Sequence, residues 1–258
     1  MILGEIVAAQ LERAGVPVER KLDLGGTFVC HQALVAGQLD VYVEYTGTAY
    51  SAVLKFPASS DARAVRHAVD SAYRQRWSVD WLPSLGFDNT FAMLVRHADA
   101  ERLHLTTLSD AVPHARQWRA AFGYEFMERA DGFPGLAARY GLAFREAPAV
   151  MDLGLTYRAL ADGRVDMIAG NSTDGQIRAL DLVQLADDRH YFPPYQAAPV
   201  VRDEALRRYP AARQALLALA GAIPDTTMRR LNYDVDVRHR DARAVATDFV
   251  HRLPPLAR

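Results

Sequence analysis

Cysteine is almost missing from this chain. Cys30 is the only one in 258 residues, which excludes an internal disulfide and any cysteine-built metal cluster. Histidine does not take its place, because no two of the eight stand three or four residues apart as a helical zinc pair requires. Lysine is scarce too, with Lys21 and Lys55 alone, so the basic side is carried by arginine. An excess of one charge is lacking: 30 basic against 31 acidic residues leave a net charge of −1, which disfavours broad binding to nucleic-acid phosphates. No apolar run approaches the roughly 18 residues of a membrane span. The opening Met1-Ile2-Leu3-Gly4-Glu5 has neither the basic region nor the long apolar stretch of a secretion signal.

Reactive motifs are equally sparse. There is no phosphate-binding Walker loop and no Gly-x-Gly-x-x-Gly after a strand. Gly170-Asn171-Ser172-Thr173-Asp174 comes nearest to a nucleophile elbow, yet it has an aspartate where the sharp turn needs a glycine. Ser172 therefore reads as a turn or cap hydroxyl. Cys30 and His31 are neighbours on a predicted helix, so their side chains diverge, and Cys30 reads as a buried, inert thiol. These absences argue against an enzyme and imply no metal and no cofactor.

What is present has the grammar of an α/β protein. Apolar residues at Ile2, Leu3, Ile6, Val7 and Leu11 predict a helix over 2–14 that stops at Gly15. Val16, Val18, Leu22 and Leu24 predict a strand running into Gly25-Gly26-Thr27, followed by a helix to Ala36. Leu39–Tyr45 alternates as a strand should. A long helix over 61–77, strands over 91–96 and near 122–127, and a mostly helical last third complete the outline. Alternating strands and helices predict parallel α/β units.

One internal echo bears on function. Ala33-Leu34-x-x-Gly37-x-Leu39-Asp40-Val41 recurs as Ala159-Leu160-x-x-Gly163-x-Val165-Asp166-Met167. Both copies read as helix, glycine cap and buried strand, and both strands end in small polar residues. Ligands of open α/β sheets sit beyond the carboxyl ends of strands, so two such units suggest two lobes around one cleft. Aromatics gather at these places: Tyr45 beside Thr46 and Thr48, Phe91 after Asp88-Asn89-Thr90, and Tyr195 after Pro193-Pro194. Taken singly, each is better explained by core packing. Converging aromatic faces would hold a cation, above all a quaternary ammonium that donates no hydrogen bond. Arg129 leads into a turn and helix, a place suited to a carboxylate.

Read together, these segments resemble the substrate-binding proteins of ABC transporters for glycine betaine, choline, carnitine and related osmoprotectants. The resemblance is carried by Ile2-Leu3-Gly4-Glu5-Ile6, Leu24-Gly25-Gly26-Thr27 and Glu44-Tyr45-Thr46-Gly47-Thr48. It continues through Arg129–Leu136, Ser172-Thr173-Asp174-Gly175, Phe192–Arg202 and Met228–Tyr233, in order along nearly the whole chain. The family implies a type II periplasmic-binding-protein fold: two α/β lobes, a two-strand hinge and a ligand cleft. Lobe 1 would comprise residues 1–88 and 192–258, and lobe 2 residues 89–191.

Residue by residue, the resemblance makes Tyr45 and Tyr195 cage aromatics, Thr48 a ligand-contacting hydroxyl and Arg129 the carboxylate anchor. Gly26, Thr27 and Asn89 join them as ligand-binding positions. Phe91 stands where the family often has tyrosine, and Asn171 where another cage aromatic is common. Fewer aromatics leave carnitine, choline or a larger trimethylated zwitterion such as ergothioneine open beside glycine betaine.

The family also places a strand and a Gly-Ser-Lys-x-Phe-Thr-Glu stretch ahead of Ile2-Leu3-Gly4-Glu5. The implied protein is therefore a longer, exported one, periplasmic or extracellular. Its partners would be an ABC permease and its ATPase, with no nucleic acid, and it would act as a monomer. Two rivals use the same scaffold: a regulatory sensor domain, and an enzyme for which Asp174 is the one evident acid–base group.

Overall fold

The alternation over Leu39–Tyr45 and the apolar run over Phe91–Arg96 both form strands in the computed structural model, which describes residues 1–57, 59–129 and 131–256. Ala130, inside the Arg129–Leu136 motif, lies outside the described residues. The strands are β1 (Val41–Tyr45), β2 (Val79–Trp81), β3 (Phe91–Arg96), β4 (Ala120–Phe122), β5 (Ala149–Val150), β6 (Met167–Asn171), β7 (Leu182–Gln184) and β8 (Ala197–Arg202). They belong to two units, Met1–Asn89 with Pro194–Arg258, and Thr90–Pro193.

In the first unit the sheet order is β1-β8-β2, and β8 runs antiparallel to both neighbours. The simple parallel expectation thus needs correcting. β1 and β2 share a direction, but a strand from far along the chain separates them. β8 reads Ala-Ala-Pro-Val-Val because both of its faces are covered, and such strands are continuous apolar runs. Ala197 and Val201 pack with the helices Ile2–Arg13, Pro210–Leu217, Asp225–Asn232 and Ala242–His251. Ala198 and Val200 pack on the other face with Leu34 of helix Thr27–Val35 and with Val69 and Tyr73 of helix Ala62–Trp77.

The strand expected over 16–24 does not form among the described residues. Val16 packs into the core, and Arg20 is held by Glu5 at 2.8 Å and by Glu12 at 2.6 and 2.9 Å. A groove of about 320 Å³ lies between this segment and β1, lined among others by Leu3, Val7, Val18, Leu22, Val41 and Val43. Alternating apolar residues give a segment the right faces. A strand also needs backbone bonds to a neighbour, and among the described residues none joins this segment to β1.

In the second unit the order is β5-β4-β6-β3-β7, with β4 parallel to β5 and β6 while β3 is antiparallel to β6 and β7. The strand predicted near 122–127 ends at Phe122, and Tyr124–Glu128 is a helix entered through Gly123. A two-residue period would bury Tyr124, which is instead 66% exposed. Phe126 is the buried partner, its ring 5.2 Å from that of Phe122. Four-residue spacing is the helical one, and it decides this segment.

The internal echo is a true structural repeat. Gly37 (φ 74°) and Gly163 (φ 70°) both adopt the left-handed conformation that glycine tolerates. Each ends its helix with the same pair of bonds: Gly37 N–H to Leu34 and Gln38 N–H to Ala33, Gly163 N–H to Leu160 and Arg164 N–H to Ala159. The strands that follow are β1 and β6, one in each unit.

Phe122 is fully buried, with the rings of Phe126, Phe133 and Phe144 around it at 4.9–5.9 Å. Phe122→Ala is expected to cost about 3–5 kcal/mol in urea unfolding. A loss below about 1 kcal/mol would show that this cluster does not hold the second unit together.

Candidate functional site

The first unit assembles its candidate residues around the end of β1. Tyr45 closes the strand with an extended backbone, and Thr46–Thr48 turn as a short helix. The Thr46 hydroxyl donates to the Pro194 carbonyl at 3.1 Å and accepts from the Gln196 N–H at 3.1 Å. The Thr46 N–H returns a bond to the Gln196 carbonyl. This threonine therefore fixes Tyr195, the residue between them, beside Tyr45's turn. Gly47 makes the close approach possible, since a Cβ there would stand 2.8 Å from Tyr195 ring carbons and 2.6 Å from the Pro194 oxygen.

The two phenols are held from below by the start of the connection to the second unit. The Tyr195 N–H donates to an Asp88 carboxylate oxygen at 2.7 Å, and the Asn89 N–H donates to the Tyr195 carbonyl at 3.1 Å. The Asn89 side chain hydrogen-bonds the Tyr45 hydroxyl, whose pKa is pushed up to about 12 by burial and by the nearby Glu44 carboxylate. Phe87 meets the Tyr45 ring edge-on at 6.4 Å. Burial raises the Asp88 carboxyl to about 6, against the pull of the Tyr195 N–H and with help from Asp225.

Gly26 and Thr27 open the helix Thr27–Val35, Gly26 exposed at its N-cap and Thr27 half-buried. Thr27 is tied to β1 through Glu44, a carboxylate only 1% exposed. Glu44 accepts from the Tyr45 N–H at 2.7 Å and from the Tyr42 hydroxyl at 3.1 Å as well as from the Thr27 side chain. Burial pushes its pKa up to about 7. Tyr45, Asn89 and Tyr195 are thus joined directly and Thr27 through Glu44, while Thr48 follows half-buried in the Gly47 turn. Cys30 is half-buried rather than sealed away, its thiol pushed up by burial and by Glu44.

The second unit collects the other three. Phe91 and Asn171 are directly opposed in the β3–β6 ladder. The Arg129 guanidinium lies 5.2 Å from the Phe91 ring centroid. It is gripped by Asp131 at 2.8 and 2.7 Å and by Glu125 at 2.9 Å. The Phe91 ring also meets Phe126 at 4.8 Å and Phe192 at 6.1 Å, so it belongs to the packed aromatic cluster of this unit. The Asn171 N–H donates to Asp174 at 2.9 Å, and the same carboxylate accepts from the Tyr157 hydroxyl at 2.7 Å. Asp174 is therefore a structural acceptor at the end of β6. Among the described residues no group of three or more His, Cys, Asp or Glu side chains is placed to hold a metal ion.

Sequence reading passed over Glu44, Thr46 and Asp88 as site-builders, although all three sit inside quoted motifs. The signal available was a polar residue within an apolar strand or at its end, which must find partners once buried.

The model of the substrate-binding domain of ABC-type glycine betaine transport systems (OpuAC) matches residues 1–252. The chain belongs to this family. Members are substrate-binding parts of transporters rather than enzymes, and the match favours transport over a regulatory sensor. The OpuAC-family chain is 36% identical to the ergothioneine transport permease/ergothioneine binding protein EgtU of Helicobacter pylori (strain G27), across 98% of its own length. It spans only 45% of that relative. It is 33% identical to the carnitine transport binding protein OpuCC of Listeria monocytogenes, covering 97% of this chain and 82% of the relative. A solved glycine betaine/carnitine/choline ABC transporter chain superimposes with a TM-score of 0.90 at 31% identity, covering 98% of this chain and 95% of that one. The two α/β units are accordingly those of a periplasmic substrate-binding protein. No helix among the described residues is long and apolar enough to cross a membrane.

Asp88 binds its proton more tightly folded than unfolded, so it makes stability fall as pH rises from about 4 to about 6. Asp88→Asn is expected to remove that part of the slope in thermal melts recorded across pH, and an unchanged slope would discharge Asp88 from this role. Gly47→Ala is expected to cost about 1–3 kcal/mol by forcing the Tyr195 ring and the Pro194 carbonyl apart from the turn, read in the same melts.

Proposed function

We propose that this substrate-binding domain captures a small quaternary-ammonium osmolyte of the glycine betaine, choline or carnitine type for delivery to an ABC permease driven by its ATPase. It works as a monomer on the outer side of the cytoplasmic membrane, in the periplasm or extracellular space. The observation that carries the reading is the Tyr45–Asn89–Tyr195 assembly. Two phenol rings are fixed by backbone and side-chain bonds beside a glycine turn, all of them supplied by the protein itself. Preformed aromatic faces suit a cation that has no N–H to donate. Their fixed geometry also reduces the ordering cost of binding.

Arg129 serves the carboxylate of such a ligand. Asp131, 15% exposed, orients the guanidinium by two parallel bonds and stays in place. Glu125 is 73% exposed, and a surface pair of that kind is worth only about 0–1 kcal/mol. An incoming carboxylate therefore displaces Glu125 at small cost. Thr48, Thr27, Gly26 and Asn89 supply polar contacts. Phe91 lends a ring face without a hydroxyl, and Asn171 an amide where an aromatic is common. Carnitine and ergothioneine, the ligands named for the two relatives, both join a trimethylammonium to a carboxylate, and this pairing supports the reading.

Calorimetric titration with glycine betaine, choline, carnitine and ergothioneine tests it. Tyr195→Ala is expected to lose about 2 kcal/mol or more for the ligand that binds, roughly thirtyfold in affinity. Arg129→Ala should weaken the carboxylate-bearing ligands and leave choline, which has no carboxylate, nearly unaffected. If no ligand of the set binds the wild-type chain, the quaternary-ammonium reading fails.

A further inference from the structure

Glu44 is a buried carboxylate in a motif otherwise made of aromatics and hydroxyls, and the proposed binding chemistry leaves it without a task. Its oxygens accept from three groups: the Tyr45 N–H, the Tyr42 hydroxyl and the Thr27 side chain. Two of those three residues are candidate ligand contacts, and they sit on different elements, β1 and the first turn of helix Thr27–Val35. Among the described residues no cationic side chain is one of the groups that act on this carboxylate. Buried carboxylates ordinarily find such a partner, because an unpaired buried charge is costly.

We infer that Glu44 is a positioning residue for cation capture: its ionised carboxylate ties Thr27 to Tyr45 and places an uncompensated negative charge behind the aromatic cage, to be balanced by the ligand's quaternary ammonium. This rests on the proposed function and adds a charge requirement to it. A cation entering beside Tyr45 favours the ionised form of Glu44, so binding expels a proton wherever the free protein still holds one. The free carboxyl titrates at about 7, so this coupling falls in the neutral range.

The remaining ionisable groups around Glu44 do not titrate there. Tyr42 and Tyr45 on β1 and Tyr73 on helix Ala62–Trp77 are all raised by burial above the ordinary phenol range. Cys30 on helix Thr27–Val35 is raised as well, so it stays a thiol. His31 on that helix packs edge-on against Tyr73 and Trp77, and burial lowers its pKa, away from that of Glu44. Asp88, in the Tyr195 assembly, titrates lower, at about 6, so it is half ionised at the start of the interval, and Asp88→Asn removes its contribution.

The experiment is calorimetric titration of the whole chain with glycine betaine, choline, carnitine and ergothioneine from pH 6 to pH 8, in buffers of differing ionisation enthalpy. For the ligand that binds, affinity is expected to rise up to about tenfold from pH 6 to pH 8, the limit for one group titrating near 7. Release of up to one proton near pH 6 should accompany it. Glu44→Gln, of nearly the same shape, should bind several-fold more weakly at pH 8, with no proton release and a flat profile. Glu44→Asp should keep the pH dependence, because the charge remains, and Asp88→Asn should keep it too. A wild-type profile that is flat, or a slope that survives in Glu44→Gln, overturns the inference while leaving the aromatic-cage reading intact. Absence of binding by the wild-type chain at every pH overturns both.

Discussion

The pairing of β1 with β8 is the constraint from which the first unit's Tyr45–Asn89–Tyr195 assembly follows. These strands are separated by about 150 residues in sequence, and their register sets Tyr45 opposite Ala197. Thr46 extends the ladder by one more step, giving its hydroxyl to the Pro194 carbonyl on one side of Tyr195 while giving its N–H to the Gln196 carbonyl and accepting the Gln196 N–H on the other. Once that step is made, the position of Tyr195 is settled, and with it the Asp88 and Asn89 bonds that hold both phenols. A slip of one residue would turn every side chain of β8 to the other face, exchanging the two cores it separates. The small, fully buried residues of β8 on both faces make that slip expensive.

The second unit handles its polar residues differently. Its arginine is not left free for a ligand but is already held by two carboxylates of unequal grip, one sheltered and one in water. Such a pair of partners keeps a guanidinium aimed while leaving one fork replaceable. The neighbouring aromatics, Phe91, Phe126 and Phe192, are first of all a packed cluster, and the Arg129 guanidinium lies over the Phe91 face.

Buried acids give the first unit its pH character. Glu44 and Asp88 both hold their protons above the usual carboxylate range because burial disfavours their charge. Each therefore opposes the folded state more as it ionises. Groups that cost stability in the resting protein are commonly retained where they do something for a ligand, which is how perturbed carboxyls come to cluster at binding surfaces.

Much of this was legible in the residues. The Ala-Leu-x-x-Gly repeat determined two helix ends, because only glycine takes the left-handed position easily and the spacing fixes which carbonyls are capped. The composition determined that no disulfide or cysteine cluster exists, and the ordered motifs determined the family. Pattern alone failed where a partner decides the outcome. Residues 16–24 have a strand's faces and no strand beside them, and Tyr124–Glu128 obeys the four-residue spacing of the Phe122–Phe126 contact over a two-residue alternation. Only the tertiary structure decided that β8 returns between β1 and β2, that Gly47 seats Tyr195, and that Glu44 joins Thr27 to Tyr45. Those depend on hydrogen bonds between residues far apart in the chain, and local sequence specifies the donors and acceptors without specifying which of them meet.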